Sequence, residues 1–105
     1  EALTMVRAAG VDPDRFLPVA RAGSSGSTMM ELKAQPMLNH DFEPLFKLEH
    51  MLKDVRHCLA EARALGIDLT LAGMAERLYV AGVDAGLGEQ DFAAIVSVAE
   101  ASASS

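Results

Sequence analysis

The stretch PLFKLEHMLKDVRHCLAEARAL, Pro44 to Leu65, decides the fold. Its apolar residues Leu45, Leu48, Leu52, Val55, Leu59 and Ala62 follow one another at alternating steps of three and four. That spacing places them along one side of a helix. Glu43-Pro44 suits a first turn, and Gly66 stands where a helix ends. The stretch therefore predicts one long helix, about residues 44–65, whose buried stripe organises an all-α domain. Each large aliphatic side chain fully buried there contributes about 1.5–3 kcal/mol before the cost of chain entropy.

Upstream, Glu1 to Ala9 reads as the last turns of a helix closed by Gly10. The pattern begins in mid-helix without an N-cap, so the chain is expected to be a piece of something longer. Asp12-Pro13 gives an N-cap and a proline at the first helical position, predicting a helix from Pro13 to about Ala22. Pro18 inside it predicts a kink or early stop. Gly23 to Ser27 is a loop, a short helix from about Ser27 to Ala34 follows, and Pro36 is expected to limit it. Asn39 to Phe42 reads as a connection. Downstream, a helix is predicted from about Thr70 to Ala85, with Met74, Leu78, Ala81 and Ala85 on one face and Gly86-Leu87-Gly88 as its stop. A last helix should run from Asp91, its N-cap, to about Ala101, with Ala101 to Ser105 a frayed tail. No segment alternates with period two long enough to be a strand.

With 105 residues, the chain is one domain with a single core. Half of it is hydrophobic but Trp is absent, so the core must be built from Ala, Leu, Val and Met. A net charge of −6 argues against nucleic acid or an anionic membrane surface as partner. The one cysteine, no membrane-length apolar run and no signal peptide point to a cytoplasmic protein.

Phe46, His50, Lys53 and His57 recur at steps of four, three and four, so a helix through them lines them up beside the apolar stripe. An aromatic ring, a cation and two imidazoles so arranged could meet a planar anionic ligand. The alternative is a solvated face carrying a snorkelling lysine, which spacing alone favours. His50, Asp54 and His57 could in principle share a metal, but solvated imidazoles are the expectation and no metal site is assigned. Cys58, in mid-helix, reads as a small buried hydrophobe. Met29, Met30, Met37, Met51 and Met74 read as core filler, and Tyr79 as a packing residue in preference to a hydrogen-bonding one.

Phe46 followed after six residues by Lys53-Asp54-Val55, then Ala60 and Gly66, resembles the C-terminal domain of the β-hydroxyacid dehydrogenases. That family includes 3-hydroxyisobutyrate dehydrogenase and tartronate semialdehyde reductase. Gly10-Val11-Asp12-Pro13, the Ser-rich segment after Ala22-Gly23, Leu78-Tyr79, Gly86-Leu87-Gly88 and Asp91-Phe92 extend the likeness over the whole chain. The resemblance implies a helical domain like the C-terminal domain of 6-phosphogluconate dehydrogenase, closing over NAD or NADP and a small hydroxy acid held by an N-terminal Rossmann domain. It implies Lys53 as the cofactor-contacting lysine, with Phe46 near the same end of the cofactor. It also implies that Ser27 and Thr28 approach the substrate pocket. Many relatives carry a bulky aromatic where Thr28 stands, which leaves the substrate open.

Two elements that the family uses are not in these residues. There is no Gly-x-Gly-x-x-Gly after a strand. Nor is there the Gly-rich lysine helix that would protonate the alkoxide, so Lys33, Lys47 and Lys53 are assigned no catalytic role and that lysine is expected upstream of Glu1. Alone, the chain is expected to be inactive. It is expected to self-associate through apolar surface exposed where its missing partner domain would pack, and the resemblance implies a dimer or tetramer built through this domain. The competing expectations are a non-catalytic helical dimerisation module and an imine-reductase-like relative.

Overall fold

The computed structural model describes residues 1–103. Its helices are α1 (Ala2–Ala8), α2 (Pro13–Ala22), α3 (Thr28–Asn39), α4 (Leu48–Ala64), α5 (Thr70–Asp84) and α6 (Ile95–Ala103), with a 3-10 turn, Phe92–Ala94, leading into α6. Among the described residues there is no strand, and the one extended pairing is an isolated antiparallel bridge between Lys47 and Asp91. The all-α expectation holds.

The central helix is shorter than its sequence suggests. It starts at Leu48 rather than at Pro44, because the residues before it are engaged elsewhere. The amides of Leu45 and Phe46 donate to the Asp91 carboxylate, and Lys47 lies in the bridge. Leu45, placed in the buried stripe by its spacing, is consequently 86% exposed. Leu48, Leu52, Leu59 and Ala62 are buried as expected, while Val55 is only partly so.

α2 has the bounds the sequence gives, with the Asp12 side chain accepting from the Asp14 amide. Pro18 neither stops nor shortens it. The carbonyl that Pro18 leaves unpaired belongs to Asp14, in the exposed first turn, where water can satisfy it. α3 runs on through Pro36 to Asn39, five residues past the expected end, for the same reason: four residues before Pro36 stands exposed Leu32. His40 then ends α3 in the left-handed region, φ 51°, with its own amide bonded to the Met37 carbonyl and that of Asp41 to Pro36.

α4 and α5, joined by the turn at 65–69, form the most extensive helix pair, and α6 lies against α5 and α1. Gly82 permits the close approach: a β-carbon there would stand 3.1 Å from a methyl of Leu48, which is wholly buried. One core cluster joins Leu17, Ala34 and Leu38. The other gathers Phe42, Met51, Tyr79 and Leu87 around Leu48, Phe92 and Ala94. Tyr79 is thus a packing residue, and burial pushes its phenol above the ordinary value.

Four further expectations fail. Met74 and Leu78 are exposed, as are Ala81 and Ala85, because α5 turns its Tyr79/Gly82 side toward the core instead. Met29 is exposed as well, whereas Met30, Met37 and Met51 are partly covered. Cys58 is exposed, since it lies one position off the Leu59 line on the solvent side of α4. The expected tail is helical through Ala103, and Ser104 and Ser105 lie outside the described residues. Among the described residues, no helix is long and apolar enough to cross a membrane.

Candidate functional site at the head of the central helix

Phe46 leaves the non-helical segment 41–47 just before α4 begins, and its ring is 37% exposed. The ring packs against Phe92, at 6.2 Å between centroids and 81° between planes. Its other neighbour is His50, in the first turn of α4, at 6.0 Å and 68°. Both are edge-to-face contacts of the kind aromatic rings favour. Lys53 follows on α4, exposed and without an ion pair to any described residue. The site therefore presents a half-covered ring and an unengaged ammonium on a rigid helix head. The alignment predicted for Phe46 and His50 survives although Phe46 itself is not helical.

Ser27 and Thr28 stand at the start of α3, both exposed. The Ser27 hydroxyl accepts from the Met30 amide at 3.0 Å, as an N-cap does. Both positions face solvent, and nothing in the contacts joins them to Phe46 or Lys53. His50, Asp54 and His57 do not come together as a ligand set; among the described residues no group of three such side chains could hold a metal.

Beneath Phe46 lies a buried pair that the sequence does not reveal. The Asp91 carboxylate is 2% exposed and accepts four hydrogen bonds. Oδ1 takes the amides of Leu45 and Phe46, each at 3.1 Å. Oδ2 takes the Ala93 amide at 2.9 Å and the Lys33 ammonium at 3.0 Å. Burial pushes the Asp91 carboxyl upward, but the bonds from Ala93, Phe46, Lys33 and Leu45 outweigh it and hold the group below the ordinary carboxylate value. The Lys33 ammonium also sits 4.8 Å over the Phe92 ring. Asp91 is legible as an N-cap; its partners on α3 and ahead of α4 are not, because they are 45 to 58 residues away in the chain.

A separate apolar groove of about 590 Å³ lies between α1, α5 and α6, lined in part by Leu3, Met5, Leu78, Tyr79, Ile95 and Val98. The buried Thr4 hydroxyl has no hydrogen-bond partner among the described residues. None of Phe46, Lys53, Ser27 or Thr28 lines this groove.

A family model described as "NAD-binding of NADP-dependent 3-hydroxyisobutyrate dehydrogenase" matches residues 1–99. The chain is 34% identical over 80 residues to a probable 3-hydroxyisobutyrate dehydrogenase-like 1, mitochondrial, of Arabidopsis thaliana, covering 76% of this chain and 24% of that protein. It is 29% identical over 100 residues to the 2-hydroxy-3-oxopropionate reductase of Escherichia coli K12, covering 95% of this chain and 34% of that protein. A crystal structure of 3-hydroxyisobutyrate dehydrogenase from Salmonella typhimurium superimposes with a TM-score of 0.87 at 26% identity, over 92% of this chain and 34% of that one. An imine reductase from Bacillus cereus shares the fold, with a TM-score of 0.64 at 23% identity over 92% of this chain and 35% of that one. The chain thus spans about a quarter to a third of the relatives it matches.

Proposed function

The chain belongs to the family of the NAD-binding domain of NADP-dependent 3-hydroxyisobutyrate dehydrogenase, and on that footing we propose that it is the helical C-terminal domain of an NAD(P)-dependent oxidoreductase acting on a small 3-hydroxy acid. The observation that carries this beyond family membership is the head of α4, where a half-exposed Phe46 ring stands one turn ahead of His50 and an unengaged Lys53 follows.

These residues suit a dinucleotide. The exposed part of the Phe46 ring offers an apolar contact for a planar heterocycle, and Lys53 offers a compact cation for a negatively charged group nearby. The nicotinamide, when bound, supplies the site for hydride transfer. Lys53 binds and orients; Phe46 packs and excludes water. Neither is placed to move a proton here, and Lys33 is committed to Asp91. The proton donor and the dinucleotide fingerprint accordingly belong to other parts of the parent protein, a Rossmann domain and a Gly-rich lysine helix. Ser27 and Thr28 are proposed to border the substrate, of the 3-hydroxyisobutyrate or tartronate semialdehyde type. Their exposure leaves them free to do so.

The domain is also proposed to build the contact between copies of the enzyme. Leu71, Met74 and Leu78 expose an apolar line along α5, with Met5 exposed on α1, a surface that a second copy would cover.

The test is kinetic. In the full-length protein, Lys53→Ala should raise KM for NAD(P) by about tenfold, the loss of one oriented charge contact. The KM for the hydroxy acid should change less. An unchanged cofactor KM removes Lys53 from the cofactor site.

A further inference from the structure

We propose that Lys33 and Asp91 are positioning residues, which fix Phe46 at the cofactor; the proposal rests on the domain assignment above and extends it to two side chains that reach no ligand themselves. The segment 41–47 that carries Phe46 has no helix of its own. Its place is set from outside. The Phe46 amide donates to Asp91 Oδ1 at 3.1 Å, and the Phe46 carbonyl accepts from the Phe92 amide at 2.9 Å. On either side, the Asp91 amide bonds to the Phe42 carbonyl at 3.0 Å and the Leu48 amide to the Gln90 carbonyl at 2.8 Å. The backbone of Phe46 is thereby held at both of its polar groups.

Lys33 reaches the same ring by two routes. Through its 3.0 Å bond it fixes the Asp91 carboxylate that holds the Phe46 amide. Through its place over the Phe92 ring it engages the ring against which Phe46 packs. A buried ion pair is a poor device for stability alone, because well-packed apolar side chains of the same volume often serve as well or better. Its distinguishing property is geometric. A carboxylate saturated by four donors from three chain segments leaves those segments little freedom to slide. An exposed aromatic that must meet a flat ligand squarely benefits from that constraint more than the core does.

The experiment uses the full-length protein with Lys33→Met, Lys33→Arg, Asp91→Asn, Phe46→Ala and the double variant Phe46→Ala/Asp91→Asn. Two quantities are read: hydrogen exchange of the peptide spanning 42–48, and KM for the nicotinamide cofactor. Lys33→Met and Asp91→Asn should speed exchange in 42–48 while leaving α2 unchanged, and should raise the cofactor KM by about tenfold. Lys33→Arg, which keeps the cation, should recover most of both. The double variant should bind cofactor no worse than Phe46→Ala alone, because both changes act through one ring. Full additivity of the two effects overturns the proposal, as does unchanged exchange in 42–48 of a folded variant. Should Phe46→Ala itself leave the cofactor KM unchanged, the role given to the ring fails and the proposal falls with it. The Lys53 variant then still reports independently on whether the domain meets the cofactor.

Discussion

Asp91 Oδ1 lies 3.1 Å from the amide of Phe46, forty-five residues earlier in the chain, and the same oxygen takes the amide of Leu45. A helix beginning at Pro44 would turn these two donors, as orphan first-turn amides, toward solvent. Donating to a buried carboxylate instead, they hold 41–47 in a non-helical path. The start of α4 is therefore decided by a side chain that comes after α5 in the chain.

That carboxylate makes stability depend on pH in a definite direction. Asp91 has a folded value below its unfolded one, near the usual 3.9 of aspartate, so the unfolded chain binds the proton more readily. Its contribution is present above that unfolded value and is lost as pH falls through the lower, folded value. Denaturant titrations below about pH 4 should show stability declining with acid, and Asp91→Asn should flatten that decline. An equal slope in the two proteins would mean that Asp91 carries no such linkage.

Removing the carboxylate altogether is a harsher change. Asp91→Ala strands the buried Lys33 ammonium and the Ala93 amide and frees the part-buried amides of Leu45 and Phe46, and should cost about 3–5 kcal/mol. Lys33→Met together with Asp91→Ala should recover part of that loss. Urea unfolding of the single and double variants measures it.

Leu45 and Leu48 belong to the same stripe in sequence and to opposite environments in space. Leu48→Ala should destabilise by about 2–5 kcal/mol, since the side chain is wholly enclosed against Gly82 and Phe92. Leu45→Ala should stay within about 0.5 kcal/mol. Comparable losses for the two would place Leu45 in the core after all.

Cys58 gives a quick check on which side of α4 faces out. Being exposed, it should react completely with a thiol reagent such as Ellman's in the native protein. Protection until denaturant is added would contradict its place on the solvent side.

Much of this was legible because the signals were local. Asp12-Pro13 marks the start of α2 to the residue, α3 begins within one residue of its expected start at Ser27, and Leu48, Leu52, Leu59 and Ala62 fall where their period puts them. The failures are places where a distant group overrules local preference. Pro18 and Pro36 read as breaks because their cost is judged within the helix, whereas exposure of the affected carbonyl cancels much of it. Met74 and Leu78 mark one face of α5 as plausibly as Tyr79 and Gly82 mark another, and only the approach of α4 at Gly82 selects the second. Of the candidate site, Phe46 and Lys53 were singled out through the family resemblance and the face they share with His50. The Lys33–Asp91 pair has no spacing signature at all, since its members are 58 residues apart.

The bridge between Lys47 and Asp91 has a further consequence for the integrity of the chain. It stitches together the two ends of a segment that contains α4, the turn at 65–69 and α5, with the Leu48 and Glu49 amides bonded to the carbonyls of Gln90 and Gly88. The segment is a closed lobe whose covalent midpoint lies at an exposed turn carrying Leu65 and Ile67. A protease that nicks this turn cuts the polypeptide without opening the lobe: the two pieces remain clasped at the end opposite the cut, and migrate as one body until denaturant parts them.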